Sequence, residues 1–375
     1  MKILHLFNDE KVINRMIRFF EDTLPSCNYY MCFCHKNGEN YTARHIDPDL
    51  PISFFDPQKD IYTQRHTGCD KILIHFLDDD KARFVDTYFS QKHIKVCWIV
   101  WGGDLYNTLT RCGENKLFAD NNNYYKNNKF QINALTYLGY YRYKNRHIRS
   151  FIENRISYIL GERNDLNVLK KLFPKKLDFQ YQHYFYYPIE DILGDLFDRE
   201  SVNGGSILCG NSSSYFNNHE YVLEFLRRMN VNDYKLVFPM SYGGCDTYRN
   251  TVIENGYKYF SDKFTPLLDF LPIQEYNNLF INSNICVYGN WKPEALGNIL
   301  IALYLGSKVY MSNHSPLYEY LTEEIGLKLF LMEEESAENF RVPINENDKR
   351  KNRQIIIERY STINLIRNIK SIGAI

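Results

Sequence analysis

The sequence predicts a two-domain α/β protein, and three observations carry that prediction. The chain has 375 residues, too many for one ordinary core and suited to two. Short apolar segments alternate with amphipathic helical patterns along most of its length. Those segments lack strict alternation, as do strands of a parallel sheet covered on both faces. Two such arrays in succession predict two sheets and a cleft between the domains, with ligands at the carboxyl ends of the strands.

The first array opens with the strand KILHLF (2–7) and a helix over 11–23. Its further strands are YYMCFC (29–34), ISFF (52–55), KILIHFL (71–77), VCWIVW (96–101) and ISYIL (156–160), and Asp78-Asp79-Asp80 caps the helix after KILIHFL. The second array has strands SILCG (206–210), YKLVFP (234–239), YKYF (257–260), NICVY (284–288) and SKVYM (307–311). Helices are predicted near 217–229, 245–255, 272–282, 292–304 and 315–325, and a last charged, Ile-rich helix over 347–371. These patterns divide the chain into an N-terminal domain (1–187), a C-terminal domain (188–345) and a closing segment (346–375) that packs back on the first. The hinge is expected near Pro188.

Composition excludes several functions. Lysine plus arginine and aspartate plus glutamate number 45 each, so the global field selects neither nucleic acid nor any other charged partner. The nine cysteines are odd in number and contain no C-x-x-C pair; Cys32 and Cys34 share one face of a strand, and the spacing around them is not that of a zinc site. They are expected to be reduced thiols, and neither metal nor cofactor is expected. No signal peptide is recognised, and the most apolar helical stretch, 298–305, falls short of the roughly 20 residues that span a bilayer. Residues 111–154 differ from their surroundings: polar, basic and interleaved with aromatics. The stretch fits either a solvated helix or a surface lying on anionic headgroups, with Tyr140, Tyr141, Arg142, Tyr143, Lys144, Arg146 and Arg149 at its centre.

The segment VCWIVWGGDLYN (96–107) is the first candidate for chemistry. Gly102 and Gly103 end a buried strand where a ligand approaches an open parallel sheet, and lacking Cβ atoms they permit close contact. Asp104 is either the cap of the next helix or a carboxylate offered to substrate. In the second array, Gly210-Asn211-Ser212 runs from a strand into a small polar turn, a place for backbone donors to meet a diphosphate. In NWKPEALGNIL (290–300), Pro293 suits a helix first turn and puts Glu294 and Asn298 on one face.

These motifs resemble glycosyltransferase family 56, the TDP-N-acetylfucosamine:lipid II N-acetylfucosaminyltransferases of bacterial polysaccharide assembly. Trp98, Trp101, Gly102, Asp104, Leu105 and Tyr106 fill W-x-W-G-x-D-L-Y, and residues 14–20 resemble N-R-x-x-R-F-F. Gly210, Asn211, Ser212, Asn217 and His219 resemble G-N-S…N-x-H, while Pro239, Met240 and Tyr242 resemble P-M-x-Y. In place of the family's Q-G-I-G-T stands Glu294-Ala295-Leu296-Gly297-Asn298. The resemblance implies a GT-B fold, with two Rossmann-like domains closing over a nucleotide sugar. Donor contacts are then expected from the second-array residues just named, including Glu294, Gly297 and Asn298. Acceptor contacts are expected from Arg15, Arg18, His75, Trp101, Gly102, Gly103 and Arg163, with Asp104 as general base. The implied reaction moves a 4-acetamido-4,6-dideoxyhexose from a dTDP-linked donor to a lipid-linked saccharide at the cytoplasmic face of the plasma membrane. A GT-B glycosyltransferase with another donor and acceptor, a metal-dependent GT-A enzyme using Asp78–Asp80, a non-catalytic nucleotide-sugar-binding subunit and a nucleotide-sugar epimerase are the alternatives.

Overall fold

The computed structural model describes residues 1–63, 68–90, 93–107, 117–176, 178–199, 202 and 204–375, without the side chains of 136, 137, 141 and 142. It divides into two compact units. The first comprises Met1–Cys112, Gly139–Pro188 and Thr362–Ile375, and the second Gly113–Leu138 and Ile189–Ser361.

The first unit is built on strands β1 (Ile3–Asn8), β2 (Asn28–Phe33), β5 (Ile52–Phe55), β6 (Lys71–His75), β7 (Lys95–Ile99), β8 (Ile156–Gly161) and β9 (Gln180–His183); β3 (Lys36–Asn37) and β4 (Asn40–Tyr41) form a small separate hairpin. The seven-stranded sheet has the order β5-β2-β1-β6-β7-β8-β9, and all its pairings are parallel. Chain order runs outward from β1 on one side and from β6 on the other, so the switch point lies between them. Helices α1 (Ile13–Thr23), α2 (Asp79–Tyr88), α4 (Tyr140–Lys144), α5 (Arg146–Asn154), α6 (Arg163–Leu172) and α15 (Thr362–Ala374) complete the unit. Every residue of β6 is buried, and Trp98 on β7 is the largest side chain with no exposure. This is the two-sided burial that continuous apolar strands require.

The second unit repeats the plan with β10 (Ser206–Cys209), β11 (Lys235–Pro239), β12 (Phe264–Leu267), β13 (Ser283–Tyr288), β14 (Lys308–Met311) and β15 (Phe330–Leu331). Their order is β12-β11-β10-β13-β14-β15, again parallel, with the switch point between β10 and β13. Its helices are α3 (Asn123–Tyr137), α7 (Ile189–Leu193), α8 (His219–Arg228), α9 (Asp246–Phe260), α10 (Ile273–Ile281), α11 (Leu296–Tyr304), α12 (Pro316–Glu319), α13 (Ala337–Phe340) and α14 (Glu346–Tyr360).

Four sequence expectations need correction. Residues 257–260 continue α9 and are not a strand; the strand is the next segment, 264–267. Gly256 allows this, because a Cβ there would sit 2.4 Å from the Phe264 ring. The closing helix is two helices, broken where Ser361 turns extended at ψ 161°; α14 packs on α11 and α7, and α15 on α1 and β9. Residues 113–138, counted from sequence with the first domain, belong to the second unit. Asn218 holds them there, its carboxamide oxygen accepting from the Ala119 amide and the Asn122 side chain at 2.9 Å each, while Tyr124 stacks on Tyr215 at 3.8 Å. Finally, α11 begins at Leu296, after Ala295 in the left-handed region at φ +62°. Pro293 and Glu294 therefore precede the helix, and Glu294 does not share a helical face with Asn298.

Candidate functional site

Loops at the carboxyl ends of the first sheet converge on one buried carboxylate. Gly102, at φ +38°, turns the chain from β7 into a single π-type turn over Gly103–Asn107. The turn folds Asp104 inward to 1% exposure. Its Oδ2 accepts from the Leu77 amide at 2.9 Å and the Trp98 indole at 2.7 Å. Its Oδ1 accepts from the Trp101 amide at 2.8 Å and the Leu105 amide at 3.0 Å. Burial pushes the carboxyl up to about 6, against the pull of those four donors. This corrects the role read from sequence: a carboxylate that takes four hydrogen bonds and has almost no surface does not reach an acceptor hydroxyl. Asp104 instead ties the end of β6 to the end of β7, and the glycines serve its turn.

His75 is also internal, at 0% exposure. The Trp101 indole donates to the Tyr186 hydroxyl at 2.6 Å, and Tyr186 reaches His75 Nδ1 at 2.7 Å. His75 Nε2 lies 3.1 Å from His5 Nδ1, and His5 Nε2 lies 3.2 Å from Asn28 Oδ1. An indole only donates, and the Asn28 amide nitrogen is engaged by Glu21 and the Leu24 carbonyl. Every proton in the chain therefore points from Trp101 toward Asn28, with both imidazoles neutral. Burial lowers His5 to about 3 and His75 well below its ordinary value. His75 thus orients Trp101 through Tyr186 and does not meet a ligand itself. Sequence reasoning missed His5, Asn28 and Tyr186. A usable signal was there: His5 pairs with Leu73 in register, so His5 and His75 share a sheet face on adjacent strands.

The remaining expected acceptor residues reach the surface. Trp101 is half-buried, and Arg15 is exposed beside the Phe19 ring at 4.6 Å. Arg18 pairs with Asp47 at 2.8 Å, and Arg163, at the start of α6, lies 5.2 Å from the Tyr181 ring. Asp78 caps α2 by accepting from the Lys81 amide at 2.9 Å and also holds the Lys81 ammonium. Among the described residues no group of three His, Cys, Asp or Glu side chains is arranged to hold a metal ion.

At the carboxyl edge of the second sheet, two turns lock backbone to backbone. Gly210 follows β10 at φ +70°. The Tyr242 carbonyl accepts from both the amide and the hydroxyl of Ser213 at 2.8 Å. Gly244 sits so close that a Cβ would lie 2.2 Å from the Ser213 carbonyl oxygen. Asn217 donates to the Ser212 carbonyl and hydroxyl at 3.1 Å each, and His219 Nδ1 meets the Tyr248 hydroxyl at 3.0 Å. Ser212, Asn217, His219 and Met240 are all buried. They were expected to contact a ligand, but they shape and support the turn, whose half-buried tip is Asn211.

What this edge leaves open lies beside it. A pocket of about 200 Å³ is lined by Pro239, Tyr242, Leu267, Phe270, Tyr276 and Asn298, among others. Asn298 donates to the Tyr276 hydroxyl at 2.7 Å. The first turn of α11 carries no acidic residue, and the space where a Gly297 Cβ would project is empty. Glu294 holds the approach to that helix, 2.7 Å from Lys292 Nζ and 3.0 Å from Asn290 Nδ2. A helix start, whose first amides have no partner within the helix, next to a small pocket suits an anion joined to a ring.

In the basic segment, Tyr140 and Tyr143 are exposed and the Arg146 guanidinium lies 4.3 Å from the Tyr143 ring. The side chains of Tyr141 and Arg142 lie outside the described residues, and Lys144 is exposed. Arg149 turns inward, 4.7 Å from the Phe173 ring, with a hydrogen bond to the Leu172 carbonyl that ends α6.

Solved structures align with this fold over the whole chain. Sucrose-phosphate synthase from Thermosynechococcus elongatus does so with TM-score 0.63 and 11% identity, covering 100% of this chain and 98% of that one. Anabaena HepE, solved in complex with UDP and glucose, gives 0.63 and 10%, covering 100% and 99%. The α,α-trehalose 6-phosphate synthase of Burkholderia multivorans gives 0.60 and 9%, covering 100% and 95%. Two Rossmann-like units of this kind are the GT-B architecture of glycosyltransferases. Residues 134–355, more than half the chain, match the family described as 4-alpha-L-fucosyltransferase, glycosyl transferase group 56, and the chain belongs to that family. It is a glycosyltransferase.

Proposed function

We propose that this glycosyltransferase moves a 4-acetamido-4,6-dideoxyhexose from a dTDP-linked donor to a lipid-linked saccharide. The observation that carries the donor half is the carboxyl edge of the second sheet: the acid-free start of α11, with Gly297 open, beside the 200 Å³ pocket. That volume is below the roughly 300 Å³ of a typical whole-ligand pocket and suits one heterocycle. In this reading the diphosphate lies on the amides of α11, whose dipole stabilises the departing charge, and the base enters between Tyr242, Phe270 and Tyr276. HepE, solved with UDP-glucose, is a protein of the same fold with a nucleotide sugar bound.

The lipid half of the proposal rests on the motifs shared with family 56 and on the exposed aromatic and basic surface around Tyr143 and Arg146. Among the described residues no helix is long and apolar enough to cross a membrane, so the proposed contact is peripheral, on the cytoplasmic face. Thermal unfolding against a panel of nucleoside diphosphates and their sugars tests the donor. At one hundred times its dissociation constant a ligand adds about 2.7 kcal/mol. dTDP should raise the melting temperature more than UDP, GDP or ADP, and equal shifts from all four would reject the base assignment. Activity retained in EDTA is expected, and its loss would favour a metal-dependent mechanism.

A further inference from the structure

The structure removes Asp104 from proton transfer but leaves the need for it. The acceptor hydroxyl oxygen bonds to the anomeric carbon, and the bond from that carbon to the β-phosphate oxygen breaks with its electron pair leaving on the nucleoside diphosphate. The hydroxyl proton needs a group to receive it, and the carboxyl edge of the first sheet offers several candidates. Most candidates there are committed. Asp9 takes the amides of Arg44 and His45 at 2.6 and 2.9 Å. Asp78 is bound to Lys81, and His75 lies inside its buried chain. Asp165 is pushed up to about 8 by burial and by the neighbouring Glu162 carboxylate, so it carries its proton at neutral pH.

Glu162 is held as well, by an imidazole that leaves its carboxylate an edge in solvent. It occupies the N-cap of α6 in an extended conformation, φ −85° and ψ 146°, yet its side chain makes no capping bond. The carboxylate turns instead to His183, whose Nε2 lies 3.2 Å from Oε1. β8 and β9 are adjacent and parallel, with Gly161 opposite His183, so the pair is fixed by the sheet itself. Asn368 Nδ2 faces His183 Nδ1 at 3.3 Å, and its carboxamide oxygen faces Gln182 Nε2 at 3.4 Å. An amide nitrogen only donates, so Nδ1 accepts, Nε2 carries the proton, and His183 donates to Glu162. Both side chains keep an edge in solvent, 12% exposed for Glu162 and 14% for His183.

We propose that Glu162 is the base that receives the acceptor hydroxyl's proton, with His183 as its positioning residue. The proton then passes to solvent. The inference rests on the glycosyl transfer just described, and its test separates the two. With a dTDP-4-acetamido-4,6-dideoxyhexose and a short-chain prenyl diphosphate saccharide as probes, Glu162→Gln should lower kcat on the order of 10² to 10⁴-fold with the donor Michaelis constant and the melting temperature unchanged. Formate should restore part of the rate to Glu162→Ala, which a structural role would not predict. His183→Gln should fall less. If the wild-type chain transfers and Glu162→Gln keeps its rate, this inference is wrong while the transferase reading stands. If the wild-type chain does not transfer to these probes, the donor and acceptor reading fails. A measurement without substrate then decides: a water-soluble carbodiimide with glycinamide should modify Glu162 in the folded chain and spare Asp104. An unmodified Glu162 would overturn the proposal.

Discussion

Replacing Asp104 by asparagine exchanges one carboxylate oxygen for an NH2 group inside a cage of donors. Whichever way the amide turns, its nitrogen confronts two N–H groups: Leu77 and Trp98 on one side, or Trp101 and Leu105 on the other. Two buried donors then lose their acceptor. Each costs about 1–3 kcal/mol, so the variant should lose roughly 4 kcal/mol. In a unit of this size 1 kcal/mol moves the melting temperature by about 2–4 °C, which gives a fall of roughly 8–16 °C. Differential scanning calorimetry on both chains, with transfer measured at 20 °C per folded molecule, tests this. The folded fraction should keep transfer within an order of magnitude of wild type. A variant that melts normally but has lost a hundredfold or more in rate would refute the keystone assignment and restore Asp104 as the base.

Three further outcomes are expected. Asp165 is an acid whose folded value, about 8, lies above its ordinary 3.8; its raised value favours the folded state at low pH, and that contribution disappears as pH rises from about 4 to 8. Asp165→Asn, which can still accept from the Tyr106 hydroxyl, should therefore gain in melting temperature over wild type at pH 8 and not at pH 4, and a pH-independent difference would count against it. Glu294→Ala frees the approach to α11 from Lys292 and Asn290 and should raise the donor Michaelis constant about tenfold in steady-state kinetics. An unchanged constant would take that turn out of donor binding. Gly244→Ala puts a Cβ 2.2 Å from the Ser213 carbonyl oxygen at φ +62°, and should cost about 3 kcal/mol or more by urea unfolding; a neutral result would mean that the two turns are not locked together.

Much of the fold could be read from the chain because two-sided burial leaves an unmistakable trace. KILIHFL and VCWIVW are apolar without alternation, and both are central strands. YKYF misled because its aromatics favour strands, while the packing that accommodates its helical state, the close approach of Gly256 to the Phe264 ring, is tertiary. The site was legible as an address and not as a set of roles. Asp104, Asn217 and His219 stand at the expected strand ends, yet side-chain direction decided what they do, and spacing does not report direction. The indole six residues before Asp104 was a clue, since a buried Trp wants an acceptor. Glu162 and His183 are 21 residues apart in sequence and meet only through strand pairing.

The C-terminal helix carries a consequence for synthesis. Lys71, buried on β6, donates its ammonium protons to the carbonyls of Ile372 and Gly373. Those acceptors leave the ribosome about 300 residues after the lysine does. Until then a charged amine sits at a central strand with no carbonyl to meet it, and α1 lacks the helix that packs on it. The unit whose first strand is made first is thus the one completed last. The nascent N-terminal half should stay protease-sensitive until residues 362–375 have been made, and a fragment stopped at Pro188 should be a poor stand-alone product.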